Sequence, residues 1–259
     1  MYRMKKARFL LLAGLAVLLA ACGWQAGAVS GPAEIPMEIL GELDEAARRE
    51  LLDDPKYVAL TFDDGPRPDT TGRLLDGLLE RGAAATFFVI GQQVQGNEAL
   101  LQRMEAEGHQ IGNHTYSHVR LQTAEKDTVV EEIHKTEVVL QEAVGAGSYW
   151  LRPPYGMIGE QRAALVKTPM VYWSVDPQDW KLLDAGKVAA AVMGCVKPGD
   201  IVLLHDFYPS SVDAALTIVD QLQAQGYTFV TVEELFRIQG VNPEAGVLYA
   251  SPSLIRPLT

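Results

Sequence analysis

Asp63 and Asp64 stand side by side in the run Thr61-Phe62-Asp63-Asp64-Gly65-Pro66, and further along two imidazoles stand four residues apart in His114-Thr115-Tyr116-Ser117-His118. Two neutral imidazoles and one carboxylate make a three-ligand shell suited to zinc or a similar divalent ion, and they leave a coordination position for water, as catalytic sites do. The second carboxylate is then free to move a proton. Spacing alone leaves open which aspartate plays which part, and Asp-Gly and Gly-Pro are also ordinary turn formers. A separation of four places His114 and His118 on one face if the segment is helical. The glutamate that follows the first histidine of a zinc-peptidase motif is replaced by Thr115, so a peptidase reading has no base.

Three later segments carry more chemistry. Arg152-Pro153-Pro154-Tyr155-Gly156 follows an arginine with a stiff turn, which would hold a guanidinium near a carboxylate in a fixed direction. Asp176-Pro177-Gln178-Asp179-Trp180 offers two acids and an indole, and Leu203-Leu204-His205-Asp206 ends an apolar run in an imidazole. Each alone also reads as a cap, a core aromatic or a hydrogen-bonded histidine. His109 and His134 read as structural or solvent-facing.

The elements that must position these groups are legible as alternating strand-like and amphipathic stretches, the pattern of an α/β fold with parallel strands. Seven strands are expected: Tyr57–Phe62, Ala85–Ile90, Gln110–Gly112, Tyr149–Leu151, Val171–Val175, Ile201–Leu204 and Thr228–Val230. Helices are expected over Asp127–Ala143 and Val212–Gln225, and through Leu74, Leu75, Leu78 and Leu79, with Gly82, Gly108 and Gly226 as stop signals. The reactive residues fall just after the strands. In parallel α/β folds those strand ends converge on one face, where such folds place their sites.

At the N-terminus, Arg3, Lys5, Lys6 and Arg8 precede an apolar run from Phe9 to Ala21, which is a signal-peptide layout and short for a membrane span. It ends in Leu19-Ala20-Ala21-Cys22, which resembles the lipobox of bacterial lipoproteins. Residues 1–21 are therefore expected to be a lipoprotein signal peptide and Cys22 to be lipidated, giving an exported chain anchored to the cell membrane and facing the cell wall or periplasm. Residues 22–54 read as a tether and short N-terminal segment, 55–238 as the catalytic domain, and 239–259, with three prolines, as an extended C-terminal tail. With Cys22 committed to lipid, Cys195 has no partner for an intramolecular disulfide. The leader takes four of the 22 basic residues and none of the 33 acidic ones, so residues 22–259 carry a formal charge of −15. That argues against nucleic acid as a partner.

Taken together, the five segments resemble, in order, the motifs of the polysaccharide deacetylases of carbohydrate esterase family 4, also called the NodB homology domain. The resemblance spans roughly residues 55–238 and includes Ala85-Thr86-Phe87-Phe88-Val89-Ile90-Gly91. It implies a distorted (β/α) barrel with about seven parallel strands. It further implies that Asp64, His114 and His118 hold the metal, zinc first with cobalt or another divalent ion as alternatives, that Asp63 is the general base and His205 the general acid, and that Arg152 orients Asp63 while Asp179 pairs with His205. The Tyr155 backbone N–H would hold the oxyanion, and Leu203 and Trp180 would wall an acetyl-sized pocket. Leu151 stands where the family often has Phe. The implied reaction removes N-acetyl groups from an extracellular amino-sugar polymer, peptidoglycan or a chitin-like oligosaccharide. A xylan O-acetyl esterase and a non-catalytic carbohydrate-binding envelope lipoprotein are the alternatives. The sequence is silent on oligomeric state.

Overall fold

The computed structural model describes residues 55–258. The expected signal peptide, Cys22 and the 22–54 tether lie outside the described residues. Within them the strands are β1 (Lys56–Asp63), β2 (Thr86–Val89), β3 (Gln110–Asn113), β4 (Met170–Val171), β5 (Ile201–His205), β6 (Tyr227–Phe229), β7 (Leu248–Ser251) and β8 (Leu254–Ile255). The longer helices are α1 (Thr71–Arg81), α2 (Glu98–Ala106), α3 (Lys126–Val144), α6 (Ala185–Met193), α7 (Pro209–Ala224) and α8 (Val232–Ile238), with the single turns α4 (Glu160–Ala163) and α5 (Asp179–Leu182) between them.

β1 is buried from Val58 onward. Its near-continuous apolar run, rather than an alternating one, suits a parallel strand covered on both faces. It pairs in parallel with β5 from Ala59↔Ile201 to Asp63↔His205, with β2 from Thr61↔Thr86 to Asp63↔Phe88, and at its start with β6. β3 continues the sheet beyond β2. The register sets Asp63 directly beside His205 at one end of the sheet.

Leu74, Leu75 and Leu78 of α1 face the sheet in the same cluster as Ile218, Val219 and Leu222 of α7, while Leu79 points outward. The three glycines expected to stop helices adopt left-handed backbone, with φ of 59° at Gly82, 83° at Gly108 and 85° at Gly226.

Two expected strands are thinner than the sequence suggests. Tyr149–Leu151 survives only as bridges from Leu151 to Asn113 and to Met170, and the Val171–Val175 run is β4 plus a lone bridge from Val175 to Val202. Both losses have a cause in the chain. Pro153 and Pro154 remove two ladder donors after Leu151. The carbonyls of Val171 and Tyr172 accept from the Arg152 guanidinium, and Ser174 and Val175 both donate to Ile201 C=O, an irregularity of the kind that breaks a ladder. These bridges lead from β3 back to β5, so the barrel is distorted along this arc.

The C-terminal stretch is corrected in a different way. It does not trail away: β7 is buried, pairs in parallel with β4 (Met170↔Leu248, Val171↔Tyr249) and carries β8 antiparallel to it. The short strand flanked by prolines gave too little periodic signal to be seen.

Candidate active site

Asp63, Asp64, His114 and His205 lie at or just past the C-terminal ends of β1, β3 and β5, while Arg152 follows the Leu151 bridge and Asp179 and Trp180 open α5. Asp63 closes β1, almost fully buried. Arg152, with no exposed surface, places Nη1 2.7 Å from Asp63 Oδ1 and also 2.7 Å from Thr61 Oγ1, while Nη2 donates to Tyr172 C=O at 2.8 Å. Its guanidinium lies 4.1 Å above the Phe88 ring. A buried cation held on this many sides cannot reorient, so it fixes the carboxylate beside it. Burial works to raise the Asp63 pKa, but the charges of Arg152, His114 and His205 and the Arg152 hydrogen bond outweigh it and hold the carboxyl below its ordinary value.

Asp64, His114 and His118 offer ligand atoms that all lie within 4.8 Å of one another. Asp64 Oδ1 sits 3.3 Å from His118 Nε2 and 3.5 Å from His114 Nε2, is buried and accepts no hydrogen bond. His114 Nδ1 lies 2.7 Å from Arg152 C=O. A carbonyl only accepts, so Nδ1 carries the proton and Nε2 presents its lone pair to the carboxylate. A lone pair facing an orphaned carboxylate oxygen fits a cation between them. Burial, followed by the charge of His114, pushes the His118 pKa down, which favours the neutral, ligating imidazole.

The histidine pair is not brought together by a helix, as its spacing allowed. Residues 114–118 form a loop, and positive φ at Thr115 (65°) and His118 (58°) turns the two rings to 5.0 Å centroid separation. Asp64 (73°) and Tyr155 (61°) share this strained region, which non-glycine residues tolerate only where the surroundings impose it. Here Asn113 imposes it by accepting from Thr115 N–H and donating to Ile133 C=O, and Glu132 of α3 accepts from both the backbone and the hydroxyl of Ser117.

At the start of α5, Asp179 has no exposed surface and accepts from the His205 backbone N–H and from the Ser211 hydroxyl through Oδ2, while Oδ1 lies 2.8 Å from His205 Nδ1. Burial opposes a charged His205, but the Asp179 hydrogen bond and charge, with Asp63 and Asp64, raise its pKa to about 9. His205 is therefore protonated at neutral pH. Its neighbour Asp206 is buried behind Gly65: it accepts from the Thr71 hydroxyl, and a Cβ at position 65 would overlap its carboxylate. Burial raises its pKa to about 7.

Tyr155 turns a half-exposed ring to 4.8 Å from that of His118, and among the described residues nothing accepts from its backbone N–H. Leu203 is buried in β5 opposite Thr61, and Trp180 lies half-exposed in the first turn of α5, beside Asp179. No hydrogen bond or ring contact ties the Trp180 indole to the other site side chains among the described residues. His109, expected to be structural, accepts from Ala85 N–H with its ring buried, and His134 is exposed on α3.

Thr61, Asn113, Ser211 and Asp206 are the supporting residues that the sequence does not single out for function. The only signal for three of them is adjacency: Thr61 is in β1 two residues before Asp63, Asn113 immediately precedes His114 and Asp206 immediately follows His205, whereas Ser211 lies in α7 with no such signal.

A parallel α/β barrel with acid, base and ligand groups gathered at its strand ends is the build of a barrel enzyme. The polysaccharide deacetylase family model matches residues 52–172, and the chain belongs to that family. It is 39% identical to the peptidoglycan-N-acetylglucosamine deacetylase PgdA of Listeria monocytogenes over 70% of this chain, spanning 39% of that protein's length. It is 37% identical to a peptidoglycan-N-acetylglucosamine deacetylase of Bacillus cereus over 73% of this chain and 92% of that one. Among solved structures, a family 4 acetyl xylan esterase from Clostridium thermocellum in complex with a cobalt ion superposes with a TM-score of 0.73 at 36% identity, over 77% of this chain and all of that one.

Proposed function

We propose that this chain is a metal-dependent deacetylase that removes N-acetyl groups from an extracellular amino-sugar polymer, peptidoglycan first. The observation that carries it is one ligand cluster accompanied by two proton-handling pairs, Asp63–Arg152 and His205–Asp179. A divalent ion held by Asp64, His114 and His118, zinc in our reading, would supply Lewis acidity to the acetamide carbonyl and to water. Asp63, kept ionised by Arg152, takes the proton of the water that adds to the carbonyl carbon. The Tyr155 N–H is free to donate to the developing oxyanion. His205, kept charged by Asp179, gives its proton to the nitrogen as the carbon–nitrogen bond breaks, so acetate and a free amine leave. Leu203 and Trp180 would wall the methyl pocket, and lipidation at Cys22 would keep the enzyme at the membrane surface, within reach of the wall.

The likeness to an acetyl xylan esterase supports a second reading, hydrolysis of O-acetyl esters by the same groups. Acetate release by the full-length chain separates them, using N-acetylglucosamine oligomers, peptidoglycan and acetylated xylan, each with zinc and with chelator. Release from the amino sugars, abolished by chelator and restored by the ion, is expected. Release from xylan alone would move the assignment to the esterase, and release from none would leave a binding protein.

A further inference from the structure

Five of the nine arginines among the described residues are paired with an acid. Arg73, Arg81, Arg103, Arg152 and Arg237 each meet a carboxylate. Arg67 and Arg120 meet none among the described residues, and both belong to the site loops. Arg67 follows the Asp63-Asp64-Gly65-Pro66 turn and lays its guanidinium 4.0 Å from the ring centre of Phe207, two residues after His205. Arg120, two residues after His118, lies 4.4 Å from the ring centre of Tyr155 and donates a side-chain hydrogen bond, 3.1 Å, to Met157 Sδ. Arg162 and Arg256 also lack a carboxylate, but they rest on Ala124 C=O and over the Tyr172 ring, outside the loops that carry the site.

Phe207 and Tyr155 are themselves 39% and 51% exposed, so each guanidinium is stacked on a surface ring, and neither meets a carboxylate among the described residues. Stacking orders a long side chain before a ligand arrives, which leaves less freedom to lose on binding. One such cation stands on the His205 side of the ligand cluster and one on the His118 side. A neutral sugar needs neither. A planar carboxylate matches a guanidinium edge with two parallel hydrogen bonds.

We infer that Arg67 and Arg120 form carboxylate-binding subsites on either side of the reacting sugar, and that the polymer acted on carries carboxylates on its flanking units. This rests on the proposed deacetylation. The carboxylate would belong either to a lactyl ether on the sugar or to a peptide attached to it.

The test compares full-length wild type with Arg67→Gln, Arg120→Gln and the double variant on three substrates: neutral N-acetylglucosamine oligomers, peptide-free glycan strands bearing lactyl carboxylates, and intact peptidoglycan. In the double variant the ratio of kcat/KM on carboxylated strands to that on the neutral oligomer should fall about tenfold or more, carried by KM, and the wild-type preference should fade as salt rises. A fall on peptide-free strands assigns the lactyl group, and a fall confined to intact peptidoglycan assigns the peptide. A ratio within about twofold of wild type on both would overturn the inference. Calorimetric binding of the same strands to the metal-free chain keeps the two readings apart: arginine-dependent binding without acetate release would sink the deacetylase and leave the subsites standing.

Discussion

Asp63 and Asp64 are adjacent and chemically alike, yet their surroundings differ. Asp63 has a buried cation against one oxygen, and Asp64 has two imidazole nitrogens against one. Residue order alone does not tell the two apart; a buried arginine far along the chain does. Replacing Asp63 with Asn removes the proposed base and leaves the three proposed ligands, so metal content should hold while kcat falls by about 10²–10⁴. It also deprives buried Arg152 of its counter-charge, at a cost on the order of 3 kcal/mol, so metal content is to be measured well below the melting temperature. His114→Ala should lose metal first, and retention of metal by that variant would break the ligand assignment. Asp179→Asn acts through His205. The proposed mechanism needs the protonated imidazole, so activity should be lost as pH rises through its pKa of about 9. Without the Asp179 charge that pKa drops, and the alkaline limb of kcat/KM should move down by about 1 unit or more. Stability follows the same sign. The pair's contribution is complete below 6.5 and disappears as pH rises through about 9, so the gap in Tm between wild type and variant should narrow across that window.

At the scale of elements, what the sequence made legible was the placement of reactive groups after strands, because strand and helix periodicities are local signals. The central strands β1, β2, β3, β5 and β6 were expected and are present. What stayed hidden is non-local. The break in the Val171–Val175 run depends on Arg152 drawing two carbonyls out of the ladder, and the histidine loop depends on Asn113 and on Glu132 of α3. Gly65 is a similar case. The Asp-Gly pair reads as a turn, but the requirement for glycine comes from Asp206, whose carboxylate is pinned by Thr71 directly behind the Cα. Since Gly65 C=O also accepts from Ile90 N–H, the loop cannot slide away from an added methyl. Gly65→Ala should therefore cost about 1–3 kcal/mol, seen in chemical denaturation. Because the shift falls next to Asp64, it should also weaken metal retention. A variant that keeps wild-type stability and metal affinity would show that the loop has more room than its contacts imply.

The whole molecule depends on a segment outside the motifs. β7 comes late in the chain and lies against β4 (Met170–Val171), where Met170 N–H donates to Val247 C=O and Tyr172 N–H to Tyr249 C=O. Leu248 and Tyr249 are buried, and the Tyr249 ring meets Phe236 of α8 edge to face at 5.2 Å. Burying each of these two side chains is worth about 1.5–3 kcal/mol, a large share of a typical domain's net stability. The same β4 region holds the catalytic geometry, because Val171 and Tyr172 supply carbonyls to Arg152, and Arg152 orients Asp63. A chain ending at Pro243 should thus lose more than a peripheral strand. Its Tm should fall sharply or the protein should aggregate on expression. Where enough folded material is recovered, acetate release should drop further than metal content, since Asp64 follows β1 and the His114–His118 loop follows β3, strands that do not pair with β4. Equal losses of metal and activity would mean that the truncation unfolds the barrel as one unit. Unchanged activity would mean that β4 keeps its place, and Arg152 its anchorage, without β7.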